Sequence, residues 1–162
     1  MAAPLSRQFP GDFVWGVASS AFQIEGALDA DGRGRSIWDV FPREGIADRS
    51  DAAVANNSYH RSAEDVDLLA GAGMNAYRFS IAWPRVAPDG IVERLYPAGW
   101  SGTNQKGLDY YSRLVDALLA RGIYANVIVV SSPELLLGIL GHATGYAHLR
   151  DGLGVNGDLY AV

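Results

Sequence analysis

The clearest hydrophobic pattern in the chain lies in residues 75–85. Its apolar positions alternate with polar ones and are Tyr77, Phe79 and Ile81. A period of two residues is typical of a strand with two different faces, and Arg78 and Ser80 would share the second face. A guanidinium inside an apolar strand is costly unless a carboxylate and hydrogen bonds accompany it, so we expect a carboxylate close to Arg78. Pro84 lacks an amide donor and is predicted to end the strand.

Two further apolar stretches have the character of strands. Residues 13–20 begin with apolar side chains on both faces, as a buried parallel strand does. Residues 124–130 are rich in β-branched side chains, which favour strands. Between the strands, residues 36–41 are predicted to form a short packed turn or helix stopped by Pro42, and residues 44–57 and 87–102 to form loops.

Two segments between these strands have the period of amphipathic helices. The first is predicted to begin at Asn57 or Ser58 and to end near Ala72, where a glycine follows. Its buried stripe would consist of Tyr59, Ala63, Val66, Leu69 and Ala70. The second is predicted from near Asn104 to Gly122. Its buried stripe would consist of Leu108, Tyr111, Val115, Leu118 and Leu119. Strands that alternate with helices of this length predict an α/β fold with a parallel sheet and right-handed crossovers.

Composition narrows the class of protein. The 162 residues are 49% hydrophobic, which suits a single globular domain over residues 1–162. The 13 basic and 18 acidic residues give a net charge of -5 without clusters, so we expect neither nucleic acid nor an anionic membrane as a partner. Without cysteine there is no disulfide or thiolate metal site. The apolar runs 127–130 and 135–140 are too short to span a membrane, and no signal-peptide core is present at the start.

These features predict a cytoplasmic protein. Twelve of the thirteen basic residues are arginine, which together with abundant alanine and glycine suggests a bacterial, GC-rich coding sequence.

Several motifs in a fixed order resemble the opening of glycoside hydrolase family 1, the β-glucosidase family. They are residues 13–26 (FVWGVASSAFQIEG), 36–39 (SIWD), 59–61 (YHR), 73–85 (GMNAYRFSIAWPR) and 107–116 (GLDYYSRLVD). The resemblance covers about residues 10–127. It implies a partial TIM barrel, the first three βα units of a (β/α)8 barrel, in a single incomplete domain. Residues 91–100 resemble an insertion, and residues 131–162 form a divergent tail, predicted to be helical or flexible.

The family also implies an activity and two site residues. Its members hydrolyse terminal β-D-glycosides with retention and without a cofactor, so a β-glucoside is the expected partner. By resemblance, Gln23 binds two sugar hydroxyls through its amide; the alternative is an ordinary loop amide. By resemblance, Arg78 holds the nucleophilic glutamate ionised; the alternative is an ion pair with a local carboxylate, Glu25 or Asp39.

The catalytic carboxylates of the family have no counterpart in these residues. Retaining members use an acid/base glutamate in an Asn-Glu-Pro motif and a nucleophile in a Glu-Asn-Gly-type motif, with the carboxyl groups roughly 5–5.5 Å apart. Neither motif occurs in the 162 residues, so no catalytic residue is assigned and the chain alone is predicted to be inactive. The alternative is a non-catalytic truncated product or a weak sugar-binding fragment. Open sheet edges would allow self-association.

Other candidate residues have plainer explanations. Glu134 follows the third predicted strand, but after Pro133 it is best explained as the start of a helix. His142 and His148 lie six apart without an acidic neighbour, so no metal site is predicted. Residues 152–157 match the glycine pattern of dinucleotide sites, yet no strand precedes them. Three tryptophans are predicted to lie mostly in the core, with sugar stacking as the alternative: Trp15, Trp38 and Trp83.

Overall fold

A computed structural model of the chain describes residues 8–40, 42–88 and 103–128. Within this part, a parallel sheet has the order β1 (Gly16–Ala18), β2 (Ala76–Ser80) and β3 (Tyr124–Ile128). The helices are α1 (Ala21–Ile24), α2 (Ile37–Val40), α3 (Ser58–Gly71), α4 (Trp83–Val86) and α5 (Gln105–Ala120). Single 3-10 turns lie at Ala30–Gly32 and Arg43–Gly45. The predicted α/β class with a parallel sheet is confirmed.

One face of the sheet packs on α3 and α5 and forms the core. From the sheet, Tyr77 and Phe79 of β2 and Ala125 of β3 are buried there. The apolar stripe of α5 meets them, and its buried members include Leu108, Tyr111, Val115 and Leu118. The prediction for this helix is confirmed, with Leu119 only partly buried.

The stripe predicted for α3 is correct for some residues and wrong for others. Tyr59 and Val66 are buried, and Leu69 and Ala70 pack partly against the core. Ala63 is exposed instead. Arg61, two residues earlier, departs from helical geometry (φ −116°, ψ 17°), so the helical period does not continue unbroken from Tyr59 to Ala63. Asn57 is the N-cap residue, as one of the two predicted positions, but its side chain makes no capping hydrogen bond.

The ends of the long helices follow the predicted glycine signals. Gly73 and Gly122 adopt left-handed conformations, with φ of +74° and +67°, two residues after the last residues of α3 and α5. A residue without a Cβ adopts this conformation without steric cost, which is why a glycine commonly ends a helix. Pro84 lies in the first turn of α4, four residues beyond the last pair of the β2 ladder at Ser80, where its missing amide costs no helical hydrogen bond.

The first strand is shorter and more exposed than predicted. The prediction of a buried strand over residues 13–20 is wrong, because β1 contains only Gly16–Ala18 and all its residues are exposed. Within the described residues β1 pairs only with β2, and no second layer covers its outer face. Trp15 is therefore 45% exposed, and Trp38 on the short surface helix α2 is 55% exposed. The core prediction is wrong for both, whereas Trp83 packs partly buried against the core.

The other face of the sheet is open and carries a shallow cavity of about 890 Å³. Its lining includes Gly16, Ala76, Arg78, Tyr124 and Asn126. Arg78 and Asn126 are register partners on neighbouring strands, so their side chains leave the same face side by side. This face would be the interior of a closed barrel.

Some predictions fall on residues outside the described part. They concern most of the loop 87–102 and the whole tail 131–162, with Glu134, His142, His148 and the glycine pattern at 152–157. Within the described ranges, no helix has both the length and the apolar character needed to cross a membrane.

Candidate functional site

Helix α1 carries Gln23 at the carboxyl edge of the sheet, where enzymes built from parallel βα units place their sites. The helix starts three residues after β1, and the Ala21 amide donates to Ser80 Oγ at the end of β2 (2.9 Å). At its other end, the Glu25 amide donates to the Ala21 carbonyl (2.9 Å). Gln23 itself is exposed, so its amide is available to a ligand.

Two residues after Gln23, the Glu25 carboxylate is buried in a network of charged and polar groups. Its side chain is 5% exposed, and its Oε2 accepts from Arg85 Nε at 3.0 Å. The other oxygen, Oε1, accepts from the Tyr111 hydroxyl at 2.6 Å. Arg85 Nη2 also donates to the Gly26 carbonyl (3.1 Å). A buried charge pair is tolerated only with such additional hydrogen bonds, so the network determines how the chain leaves α1.

Arg85 is enclosed on its remaining sides. Its guanidinium carbon lies 3.9 Å from the centre of the Tyr59 ring, a cation–π distance. Gly107 at the start of α5 allows close approach, because a Cβ there would lie 2.1 Å from the Arg85 carbonyl oxygen. Burial raises the pKa of Tyr111 well above its ordinary value, and the nearby charge of Glu25 raises it further. Tyr111 therefore remains a protonated donor to the carboxylate at neutral pH.

A second network ties the 3-10 turn at Ala30–Gly32 to the start of α5. The Tyr59 hydroxyl donates to Asp31 Oδ2 (2.7 Å), and Lys106 Nζ pairs with Asp31 Oδ1 (3.0 Å). These two hydrogen bonds lower the pKa of Asp31. Asn104 Nδ2 donates both to the Asp31 carbonyl (2.7 Å) and to the Arg85 carbonyl (2.9 Å). The loop after α1 is thus bound to the helical layer at several points.

A third cluster fixes the loop before α2. Arg33 makes a two-point contact with Asp39, with Nη1 at 3.2 Å from Oδ1 and Nη2 at 3.0 Å from Oδ2. The amide and hydroxyl of Ser36 donate to Asp39 Oδ2 at 2.6 and 2.7 Å. Burial opposes the charged form of Asp39, yet these hydrogen bonds outweigh it and leave its pKa lowered.

Arg78 has a different environment from the one predicted. It is exposed on the open face of the sheet, so the expected burial of its charge is wrong. The expected pairing with Glu25 or Asp39 is also wrong, because Glu25 is paired with Arg85 and Asp39 with Arg33. In the described ranges no carboxylate forms an ion pair with Arg78. The physical reason is that α4 brings the Arg85 guanidinium to the buried carboxylate, while Arg78 points to the uncovered face.

Arg78 lies in the middle of β2, beside the carboxyl end of β1, and the chain continues from that end to α1 and Gln23. Ala18 at the end of β1 is the register partner of Arg78, and the Ser19 amide donates to the Arg78 carbonyl (2.9 Å). Gln23 follows four residues later on α1. No hydrogen bond joins the two side chains in the described part, so any shared role requires a ligand or another group between them.

Reasoning from the sequence missed the network of Glu25, Arg85 and Tyr111. A signal was available, since Arg85 precedes the apolar Val86 and Ala87 and faces the same desolvation cost that was argued for Arg78. In the described part of the chain, no three His, Asp or Glu side chains come close enough together to hold a metal ion.

Comparison with known proteins places this geometry in a family. The sequence profile described as Glycosyl hydrolase family 1 matches residues 5–131. The chain belongs to glycosyl hydrolase family 1. Beta-glucosidase 14 of Arabidopsis thaliana is 43% identical over 148 residues, which are 88% of this chain and 29% of that protein. The chain thus spans less than a third of the length of this curated relative.

Solved structures of the family share the fold described above. A rice beta-glucosidase has a TM-score of 0.67 at 46% identity, over 80% of this chain and 26% of the rice chain. The virulence factor SghA of Agrobacterium tumefaciens, in complex with its substrate analog salicin, has a TM-score of 0.64 at 46% identity. That match covers 80% of this chain and 28% of SghA. The predicted partial TIM barrel is confirmed, and so is the family predicted from about residues 10–127.

Proposed function

We propose that this chain forms the first three βα units of a retaining β-glucosidase and that Gln23 binds the hydroxyls of the terminal glucosyl group. The observation that carries the proposal is the exposed Gln23 amide on α1, which is anchored at the carboxyl edge of a sheet in a β-glucosidase family. An amide offers a donor and an acceptor, which suits adjacent sugar hydroxyls. The complex of SghA with salicin supports an aryl β-glucoside as the ligand class.

Arg78 fits a second role in the same reaction. Its guanidinium is exposed on the open face of β2 and has no ion-pair partner in the described ranges. A nearby positive charge stabilises an ionised carboxylate, so Arg78 would keep a nucleophilic glutamate deprotonated. That glutamate would come from polypeptide outside the 162 residues, since none of them forms a Glu-Asn-Gly motif.

Residues 1–162 by themselves would therefore bind a glucoside without hydrolysing it. Retaining hydrolysis needs a nucleophile and an acid/base roughly 5–5.5 Å apart, and both family motifs are absent from these residues. The predictions of a cytoplasmic location, of no cofactor and of no nucleic-acid partner rest on sequence composition and on the family.

The first experiment measures salicin binding and aryl β-glucoside hydrolysis with the purified chain. Gln23→Ala is compared with Gln105→Ala, a matched control, because Gln105 is also exposed and its amide donates to Asp109 on its own helix. We expect binding by the wild type and by Gln105→Ala, loss of binding in Gln23→Ala, and no turnover in any of them. Turnover by the wild type would overturn the proposed lack of activity, and equal binding by both variants would overturn the role of Gln23.

A chimera tests whether the segment supports catalysis. Residues 10–127 would replace the matching segment of SghA, so that SghA supplies the remaining barrel units. We expect the chimera to hydrolyse an aryl β-glucoside, and Gln23→Ala in the chimera to lower kcat/KM by about 10–100-fold, the effect of losing hydrogen bonds to substrate. A folded chimera without activity would contradict the proposed function.

A further inference from the structure

Helix α1 is too short to be stable without contacts to the rest of the protein. It contains a single turn of four residues, and isolated helices of far greater length are only marginally stable in water. Its position must therefore come from contacts at its two ends. At the first end, Ser80 Oγ accepts from the Ala21 amide (2.9 Å). At the second end stands Glu25, whose carbonyl also accepts from the Tyr59 amide (3.0 Å).

The Glu25 side chain fixes the second end through two separate helices. Arg85 of α4 contacts one carboxylate oxygen, and Tyr111 of α5 contacts the other. The Tyr111 hydroxyl also accepts from the Ala82 amide at 2.7 Å, just before α4. One hydroxyl group thus joins the carboxylate, the start of α4 and helix α5 at a single point. Since Tyr111 is buried, water cannot easily replace these bonds.

We propose that Tyr111 is a positioning residue for Gln23 and acts through Glu25. Its hydroxyl holds the Glu25 carboxylate, the carboxylate holds the end of α1, and α1 presents the Gln23 amide two residues earlier. The role in sugar recognition rests on the proposed function of Gln23. The mechanical part of the proposal, that Tyr111 determines the position of α1, is independent of it.

Tyr110 provides a matched control beside Tyr111 on the same helix. It is also buried, and its ring packs against the Tyr59 ring with centroids 4.6 Å apart. Its hydroxyl makes no hydrogen bond to Glu25 among the described contacts. Tyr110→Phe and Tyr111→Phe therefore both remove one buried hydroxyl from α5, but only the second change removes a bond to the carboxylate.

The experiment measures amide hydrogen exchange in the full chain by NMR. The exchange rate of the backbone amide at position 25 is divided by that of Phe79 in β2, which corrects for changes in overall stability. We expect this ratio to rise about tenfold in Tyr111→Phe, the effect of losing one hydrogen bond to a charged group, and to stay unchanged in Tyr110→Phe. Equal ratios in the two variants would overturn the proposal.

Glu25→Gln provides a second variant should Tyr111→Phe fail to fold. It keeps the size of the side chain but faces Arg85 or Tyr111 with an amide group, so we expect the same rise in the exchange ratio. An unchanged ratio in the folded variant would contradict the proposal.

Salicin binding then tests the link to recognition. We expect the Kd to rise about tenfold in folded Tyr111→Phe and to be unchanged in Tyr110→Phe. If the exchange ratio rises while the salicin affinity stays constant, the position of α1 does not determine sugar binding by Gln23, and that part of the proposal is overturned. If the wild type binds no salicin, the proposed function fails, whereas the exchange ratio still decides whether Tyr111 positions α1.

Discussion

Arg85 Nε donates to Glu25 Oε2 at 3.0 Å, although the two residues lie 60 positions apart in the sequence. The pair connects the loop after the first strand to the short helix after the second. Both side chains are almost fully removed from water, at 0% and 5% exposure. The contact therefore connects distant parts of the sequence, and we expect its loss to destabilise the whole described fold.

Glu25→Ala is expected to lower the free energy of unfolding by about 3–5 kcal/mol, because it leaves the buried guanidinium without a counter-charge. Denaturant unfolding followed by circular dichroism would measure the loss. Glu64→Ala is the control, since Glu64 pairs with Arg61 on the exposed side of α3, where water screens the charges. We expect no measurable change there, and similar losses in both variants would contradict the prediction.

Gly107→Ala is expected to lower the free energy of unfolding by about 1–3 kcal/mol. A Cβ at this buried position would lie 2.1 Å from the Arg85 carbonyl oxygen, and a backbone atom cannot move aside cheaply. Gly71→Ala, near the end of α3, meets no atom within 4 Å and should be neutral or stabilising by up to about 1 kcal/mol. Thermal unfolding of both variants tests these two expectations. A stabilising Gly107→Ala would contradict the close contact between position 107 and the Arg85 carbonyl oxygen.

The Asp39 carboxylate contributes to the free energy of unfolding by an amount that depends on pH in the acid range. Its pKa in the folded protein lies below the ordinary value of 3.8, so the unfolded chain binds the proton more readily. The stabilisation is fully present above that value and is lost as the pH falls through the lower folded pKa. We expect the difference in unfolding free energy between wild type and Asp39→Asn to shrink as the pH falls from about 6 to 2.

Ser36→Ala serves as the comparison for this titration. It removes the hydroxyl that donates to Asp39 Oδ2 but keeps the Arg33 contact. We expect it to retain most of the acid dependence. Denaturant midpoints across the pH series supply the data, and a constant difference between wild type and Asp39→Asn would rule out the contribution of this carboxylate.

The edge strand β1 is expected to promote self-association. Val14 and Val17 are 65% and 41% exposed, and within the described residues β1 is paired on one side only. Unpaired backbone groups next to exposed apolar side chains favour strand addition. We expect concentration-dependent association in light scattering, and less of it in Val17→Lys, whose charge opposes edge pairing. A monomer at all concentrations would contradict this expectation.

Local patterns in the sequence predicted the two long helices and the parallel sheet, but not the short helices α1 and α4. The stripe of α5 and the glycine ends of both long helices follow from side-chain period and backbone conformation, which depend on neighbouring residues. Burial of β1 and of Trp15 was overestimated, because apolar character shows which side chains favour a core but not whether another layer covers them. That information lies in contacts beyond the local sequence.

In the candidate site, too, some features could be predicted from the local sequence and others could not. Gln23 could be placed near the carboxyl end of the first strand because it follows β1 after only a few residues. The carboxylate required by a buried arginine was anticipated, but for Arg78 rather than for Arg85. Alternation along β2 distinguishes two faces without showing which face is covered, and α4 is too short to display a period at all.

The network around Glu25 also constrains the order of events during translation. The ribosome makes Glu25 long before Tyr111, which follows 86 residues later, a delay on the order of 4–17 s at about 5–20 residues per second. A carboxylate cannot be buried at low cost before its partners exist, so the nascent loop after β1 must stay hydrated until α5 has left the exit tunnel. During that interval the apolar residues of the first strand are open to chaperones, and the emergence of Tyr111 ends it.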